Sequence, residues 1–175
     1  MTMLDHQRIE FMDCPFDSIT EDQAFETVLR WRDEPRESYL LVTVNASILM
    51  MMRDDPELKT ACLGGELVVA DGVPVVWATR LLGTPLVARV NGCNLIEQIL
   101  REGADPALRV FFLGAGEKVV STLVDKTNRE HPGIVVAGYR NGYFGEEDWP
   151  AVVEQVRESQ ADVLFVGMPT PFKEI

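Results

Sequence analysis

The chain has 175 residues, of which 46% are hydrophobic and 25% charged, a composition that supports a packed core and excludes disordered, collagen-like and disulfide-scaffold classes. Sixteen Lys plus Arg against 28 Asp plus Glu give a net charge of −12, which repels a polyphosphate backbone and argues against nucleic acid as a partner. Two His and three scattered cysteines, Cys14, Cys62 and Cys93, offer neither a zinc cluster nor a CxxC redox pair, so free thiols in a reducing compartment are expected.

Asp5, His6 and Arg8 interrupt the first residues, so the start lacks the apolar centre of a signal peptide. The longest apolar stretches, Tyr39–Met52 and Leu67–Ala78, are broken by Thr43, Asn45 and Asp71 short of a membrane span. After a short extended lead-in, Thr20-Glu-Asp-Gln23 forms a capping box that opens a helix over Glu21–Arg32. Tyr39–Val44 is nearly continuous in apolar character and reads as a strand covered on both faces. Asn45 caps a helix over Ala46–Arg53, and Asp55-Pro56 opens another with proline at its first position. The Met50–Met52 run reads as core filler.

Leu67–Val69 is a second strand, followed at Asp71-Gly-Val-Pro74 by a turn into a helix that ends near Gly83. Asn94 precedes Leu95, Ile96, Ile99 and Leu100, which form one apolar helical stripe. The alternation continues with strand Arg109–Leu113, helix Glu117–Glu130, strand Gly133–Ala137, helix Glu146–Gln160 and strand Asp162–Val166. This order predicts an α/β fold, a Rossmann-like three-layer arrangement with a mainly parallel sheet. One domain over residues 1–175 is expected, with a possible subdivision at Asp105-Pro106. Because the chain stops nine residues after its last strand, where a loop should pass into a helix, a C-terminally shortened domain is expected.

Ligands of open α/β sheets bind beyond the carboxyl ends of strands, which directs attention to the residues there. Thr43 is a strand residue or a site residue, and Asn45 is a helix cap or a substrate ligand. Gly114-Ala-Gly116 is a plain βα turn or a loop whose N–H groups approach a phosphate at a helix N-terminus. It is not a dinucleotide fingerprint, because Val119 stands where a third glycine belongs. A methyltransferase glycine loop is a weaker alternative. Asp71 fits a cap badly, since Pro74 as third helical residue has no N–H to give. With Val73 as cap and Pro74 first in the helix, the Asp71 carboxylate is left free in the loop. Arg89 is the cation near Asn91-Gly92 and is either solvated or turned to a diphosphate. Lys173 and Glu174 are site residues or the beginning of a helix. No Asp-x-Asp clamp stands at a strand end, so no obligatory divalent metal is inferred, a metal bridging the diphosphate stays open, and no cofactor is expected.

Six short segments in order resemble the WecG/TagA/CpsF glycosyltransferases, glycosyltransferase family 26: Val42–Asn45, Ala70–Pro74, Arg89–Gly92, Val110–Gly114, Asn141–Phe144 and Val166–Pro169 with Pro171–Glu174. The resemblance covers nearly the whole chain. It implies transfer of an N-acetylhexosamine-type sugar from a UDP-sugar donor to a polyprenyl-diphosphate-linked, lipid-borne acceptor, in surface polysaccharide or teichoic acid biosynthesis at the cytoplasmic face of the cell membrane. It places a catalytic base on Asp71 with Thr43 and Asn45 beside it. Substrate-binding positions fall on Arg89, Gly92, Gly114, Gly116, Gly142, Tyr143, Lys173 and Glu174. The family's Pro-Lys-Gln-Glu signature falls on Pro171–Glu174, and the chain departs from it at Phe172 and Lys173. Such proteins continue past this motif into a basic amphipathic tail, so membrane association is expected only through that missing element, and a homo-oligomer is compatible with the resemblance. A non-catalytic nucleotide-binding α/β module is the alternative function.

Overall fold

The computed structural model describes residues 6–34, 38–104 and 107–175. The chain divides into two compact units, Met1–Leu95 with Glu174–Ile175 and Ile96–Lys173. Asp105-Pro106, where the sequence allows a subdivision, lies outside the described residues.

The first unit opens with a hairpin of β1 (Arg8–Phe11) and β2 (Cys14–Asp17), paired antiparallel with Phe11 opposite Cys14. Its two-residue turn holds both Met12 (φ 52°) and Asp13 (φ 56°) in the left-handed region, the backbone that matches strand twist in tight hairpins. The sequence showed only an extended lead-in there, because the turn carries no glycine or asparagine to announce it. Helix α1 (Glu21–Arg32) begins at the expected capping box. Thr20 Oγ1 accepts from the Gln23 N–H at 3.2 Å, and Gln23 Oε1 accepts from the Thr20 N–H at 2.9 Å.

Strands β3 (Leu41–Val44) and β4 (Leu67–Ala70) pair in parallel, Leu41 opposite Leu67 and Val44 opposite Ala70. Between them run α2 (Ala46–Asp54) and α3 (Pro56–Leu63). Two expectations are corrected here. All four residues of β4 are buried, whereas in β3 only Val42 and Val44 are, so β4 is the strand covered on both faces. Of the three consecutive methionines only Met52 reaches the core: Ile48, Leu49 and Met52 share one side of α2, while Met50 and Met51 are turned outward by the helical rotation.

Asp17 joins the hairpin to this sheet. It is buried, and its Oδ1 accepts from Arg8 Nε at 2.7 Å and pairs with His6 Nε2 at 2.6 Å, while its Oδ2 accepts the Val68 N–H at 2.7 Å. Arg8 is also its cross-strand neighbour, so strand register and ion pair support each other. A buried carboxylate is tolerated only when it is paired in this way. After α4 (Val73–Leu81), the chain returns along β4, where the Val90 N–H donates to the Ala70 carbonyl at 3.0 Å. Helix α5 follows as Gly92–Glu102.

In the second unit β5 (Arg109–Gly114) is central, with β6 (Val135–Arg140) and β7 (Val163–Gly167) parallel on either side in the order β6-β5-β7. Pairing with β6 skips Ala137, because Val110 faces Val136 and Phe111 faces Gly138, which shifts the register. Strand β6 runs three residues past the expected Ala137, and the loop after it therefore starts at Asn141. Helices α6 (Glu117–Glu130) and α7 (Trp149–Ser159) complete the unit, with a 3-10 turn at Glu146–Asp148 where one longer helix was expected. Pro150 explains the break, because it is pre-set for a helix's first turn and unsuited to an interior. The α/β class with parallel, Rossmann-like pairing is the one the alternation predicted.

Candidate active site

In the first unit, the loops after β3 and β4 and the start of α5 gather Thr43, Asn45, Asp71, Asn91 and Gly92. Parallel pairing puts Val44 and Ala70 level, and the Asp71 N–H extends the ladder to the Val44 carbonyl at 3.0 Å. Asp71 thus leaves the sheet beside Asn45. Asn45 is the cap of α2, its Oδ1 accepting from the Ile48 N–H at 3.0 Å. The cap of α4 is Gly72, not Val73, and it makes no side-chain cap bond, so Asp71 is indeed released from capping.

Asp71 is nevertheless not free in its loop, and that expectation is corrected. Its Oδ1 accepts from Asn91 Nδ2 at 3.0 Å, and its Oδ2 accepts the Gly92 N–H at 3.4 Å. The same Asn91 side chain caps α5, its Oδ1 accepting from the Asn94 N–H at 3.0 Å, and the Asn91 N–H donates to Glu21 Oε2 at 3.2 Å. One amide group therefore orients the carboxylate and starts a helix. A Cβ built on Gly92 would stand 3.4 Å from Thr43 Cγ2 and 3.9 Å from Asp71 Oδ2, so glycine lets this backbone lie close against both side chains. Each Asp71 oxygen takes one donor and keeps acceptor capacity for another.

Asn91 is a site residue that the sequence pattern does not single out. The apolar stripe places the helix start at Asn94, whereas α5 opens at Gly92 with Asn91 ahead of it. The signal was present as an Asn three residues before another polar residue at the head of an apolar stripe. Arg89 is exposed, two residues before Asn91.

The second unit gathers Gly114, Gly116, Gly142 and Tyr143. Gly114 (φ 135°) lies in the region only glycine adopts readily, and a Cβ there would run into the Gly167 carbonyl. Ala115 follows at φ 55°, its N–H donating to the Gly167 carbonyl at 3.1 Å and its own carbonyl accepting the Gly142 N–H at 2.9 Å. Three strand-end loops are tied together in this way by backbone alone. Gly116 caps α6 and brings no side chain to the first-turn N–H groups, and a Cβ on it would come 3.9 Å from Tyr143 Cε2. Asn141 steers the Tyr143 loop: its Oδ1 accepts the Tyr143 N–H at 3.0 Å and its Nδ2 donates to Glu117 Oε2 at 2.8 Å. Tyr143 is left 83% exposed, a bare aromatic ring beside a helix N-terminus. Lys173 and Glu174, both half-buried, lie in a turn. Among the described residues no three His, Cys, Asp or Glu side chains converge as a metal site, and no helix is long and apolar enough to cross a membrane.

The profile of the family described as "Glycosyl transferase WecG/TagA/CpsF family" matches residues 9–175. The chain belongs to this family. Relatives include an N-acetylglucosaminyldiphosphoundecaprenol N-acetyl-beta-D-mannosaminyltransferase of Bacillus spizizenii, 31% identical over 134 residues that cover 77% of this chain and 51% of the relative. A Bacillus subtilis protein of the same name is 28% identical, covering 77% and 52%. One from Staphylococcus aureus is 27% identical over 168 residues, covering 95% and 65%. The chain thus spans about half to two thirds of the length of these relatives.

Proposed function

We propose that this WecG/TagA/CpsF chain carries out transfer of an N-acetylhexosamine-type sugar from a UDP donor to a polyprenyl-diphosphate-linked acceptor, with Asp71 as general base. The observation that carries the reading is the Asp71 carboxylate at the end of β4, oriented by the Asn91 amide and the Gly92 N–H beside Thr43 and Asn45. The relatives' names, which specify N-acetylmannosamine transfer to a diphosphoundecaprenol-linked sugar, support the substrate classes. Work on a lipid-borne acceptor fits the cytoplasmic face of a membrane.

The acceptor hydroxyl attacks the anomeric carbon as the bond to the UDP oxygen breaks, and Asp71 takes the hydroxyl proton, which inverts the anomeric centre. The departing diphosphate gains negative charge that N–H groups stabilise without reorganising. Within the second unit, the Gly114–Gly116 loop and the N-terminus of α6 are suited to holding a phosphate, and the exposed Tyr143 ring offers a stacking face for a base.

Calorimetry with a nucleotide panel tests the donor assignment. UDP-N-acetylhexosamines are expected to bind, with affinity reduced by Tyr143→Ala. Binding of S-adenosylmethionine or NAD, with UDP compounds inert, would overturn the reading. UDP-sugar binding without turnover in a chain of the relatives' length would favour the non-catalytic module.

A further inference from the structure

The chain between α4 and α5, residues 82–91, forms neither helix nor strand, so no regular ladder fixes its course. Leu86 and Val90 are buried and pin it to the core. Its N–H groups are taken up one by one from other elements. The Leu86 N–H donates to Thr79 Oγ1 at 3.3 Å, the Val87 N–H to Ser18 Oγ at 3.1 Å, and the Val90 N–H to the Ala70 carbonyl at 3.0 Å. The last of these tethers is Glu21, whose Oε2 accepts the Asn91 N–H at 3.2 Å across 70 residues of sequence.

Glu21 stands at the first position of α1, where a carboxylate ordinarily serves the dipole of its own helix. Here it is turned to another segment, from a base that the Thr20–Gln23 capping box holds in place. The residue it tethers is the one through which Asp71 is oriented. The Val90 and Asn91 N–H groups belong to successive rigid peptide planes, and with both planes held, the direction in which Asn91 sends its side chain is set. That side chain donates to Asp71 Oδ1 at 3.0 Å, and the next N–H, of Gly92, donates to Asp71 Oδ2 at 3.4 Å. Two carboxylates thus meet one asparagine, Glu21 on its main chain and Asp71 on its side chain.

We propose that Glu21 is a positioning residue for the transfer reaction: it holds the Asn91 main chain so that the Asn91 amide and the Gly92 N–H keep the Asp71 carboxylate in one orientation. The effect on turnover rests on the reading of Asp71 as base, whereas the tether does not. Glu21 acts by reach and not by charge. Glutamine has the same length and an oxygen that accepts an N–H, but no charge for the helix end. Aspartate keeps the charge and lacks one methylene, and a bond of 3.2 Å has no slack for that loss. A residue serving only the α1 dipole gives the opposite order, because aspartate satisfies it and glutamine does not.

The test compares Glu21→Asp with Glu21→Gln in two measurements. In the 175-residue chain, the Asn91 side-chain amide signal in a heteronuclear NMR spectrum should move in Glu21→Asp and stay in place in Glu21→Gln. In a chain of the relatives' length, kcat should fall about tenfold in Glu21→Asp with KM for the UDP-sugar unchanged, since a misdirected base slows the chemical step and not the binding. Glu21→Gln should restore most of that turnover. In an Asn91→Ala background Glu21→Asp should cost no further turnover, because its effect runs through the missing amide. An Asn91 signal unmoved in Glu21→Asp, equal turnover of the two variants, a raised KM in place of the lowered kcat, or additive losses in the double variant would each overturn the proposal. A moved Asn91 signal together with no turnover by the unsubstituted protein would uphold the tether and count against the transferase reading alone.

Discussion

The two units hold their strand-end loops by different means. In the first, side chains do the holding: Asp17 gathers the hairpin onto β4, and Asn91 joins Asp71 to α5. In the second, the loops after β5, β6 and β7 are stitched by main-chain bonds around Gly114, Ala115, Gly142 and Gly167. A side-chain site can lose its chemistry and keep its fold, because an isosteric change leaves the backbone alone. A backbone site has no such separation, since any Cβ at Gly114 alters the architecture that presents the N–H groups.

Asp17→Ala should have the largest effect. It leaves the Val68 N–H and two neighbouring donors without their carboxylate, and loss of one partner of a buried pair costs about 3–5 kcal/mol. Denaturant unfolding should show it, while Asn141→Ala, at a half-buried position in the second unit, changes stability far less. Equal effects would erase the contrast. Gly114→Ala comes next, at about 2–4 kcal/mol, from its positive φ and the collision with Gly167. A small change in the unfolding midpoint would mean that the loops can re-form around a side chain.

Asn91→Ala removes a helix cap and an orienting bond together, so stability should fall by about 1 kcal/mol. Turnover should fall further than that loss explains, whereas Asn91→Ser, which can still cap α5 but does not reach Asp71 with an amide, should recover most of the stability and not the activity. The smallest effect concerns thiols. Burial, reinforced by the neighbouring Cys62, pushes the Cys14 thiol up from 9.0 to about 12. An unfolded chain ionises this thiol first, so its contribution to stability is whole below pH 9 and is lost as pH rises toward 12. Native protein at neutral pH should react with a thiol reagent at the exposed Cys93 while the buried Cys14 and Cys62 react only on unfolding.

This division also explains what could be read from the sequence. Thr20/Gln23, Asn45 and Asp55-Pro56 are local signals, each satisfied within four residues, and all three helices start where those residues stand. Asp71 was legible by elimination, because Pro74 rules it out as a cap. Its partner was not, since Asn91 lies 20 residues away and the bond exists only once β4 and the chain after α4 run side by side. Asp17 was silent for the same reason, with Val68 51 residues off. The hairpin turn at Met12-Asp13 escaped because its left-handed backbone is imposed by strand pairing and not by residues that prefer it.

The central claim is that Asp71 accepts the acceptor's proton, and Asp71→Asn tests it most directly when turnover and melting are measured together. The amide keeps the size of the side chain but cannot take up a proton, so turnover should fall at least roughly 10²-fold with UDP affinity and melting temperature little changed. Activity surviving nearly intact would show that Asp71 is not the base. A loss of several degrees in melting temperature alongside the activity would show instead that the carboxylate's work is to hold Asn91 and Gly92 in place.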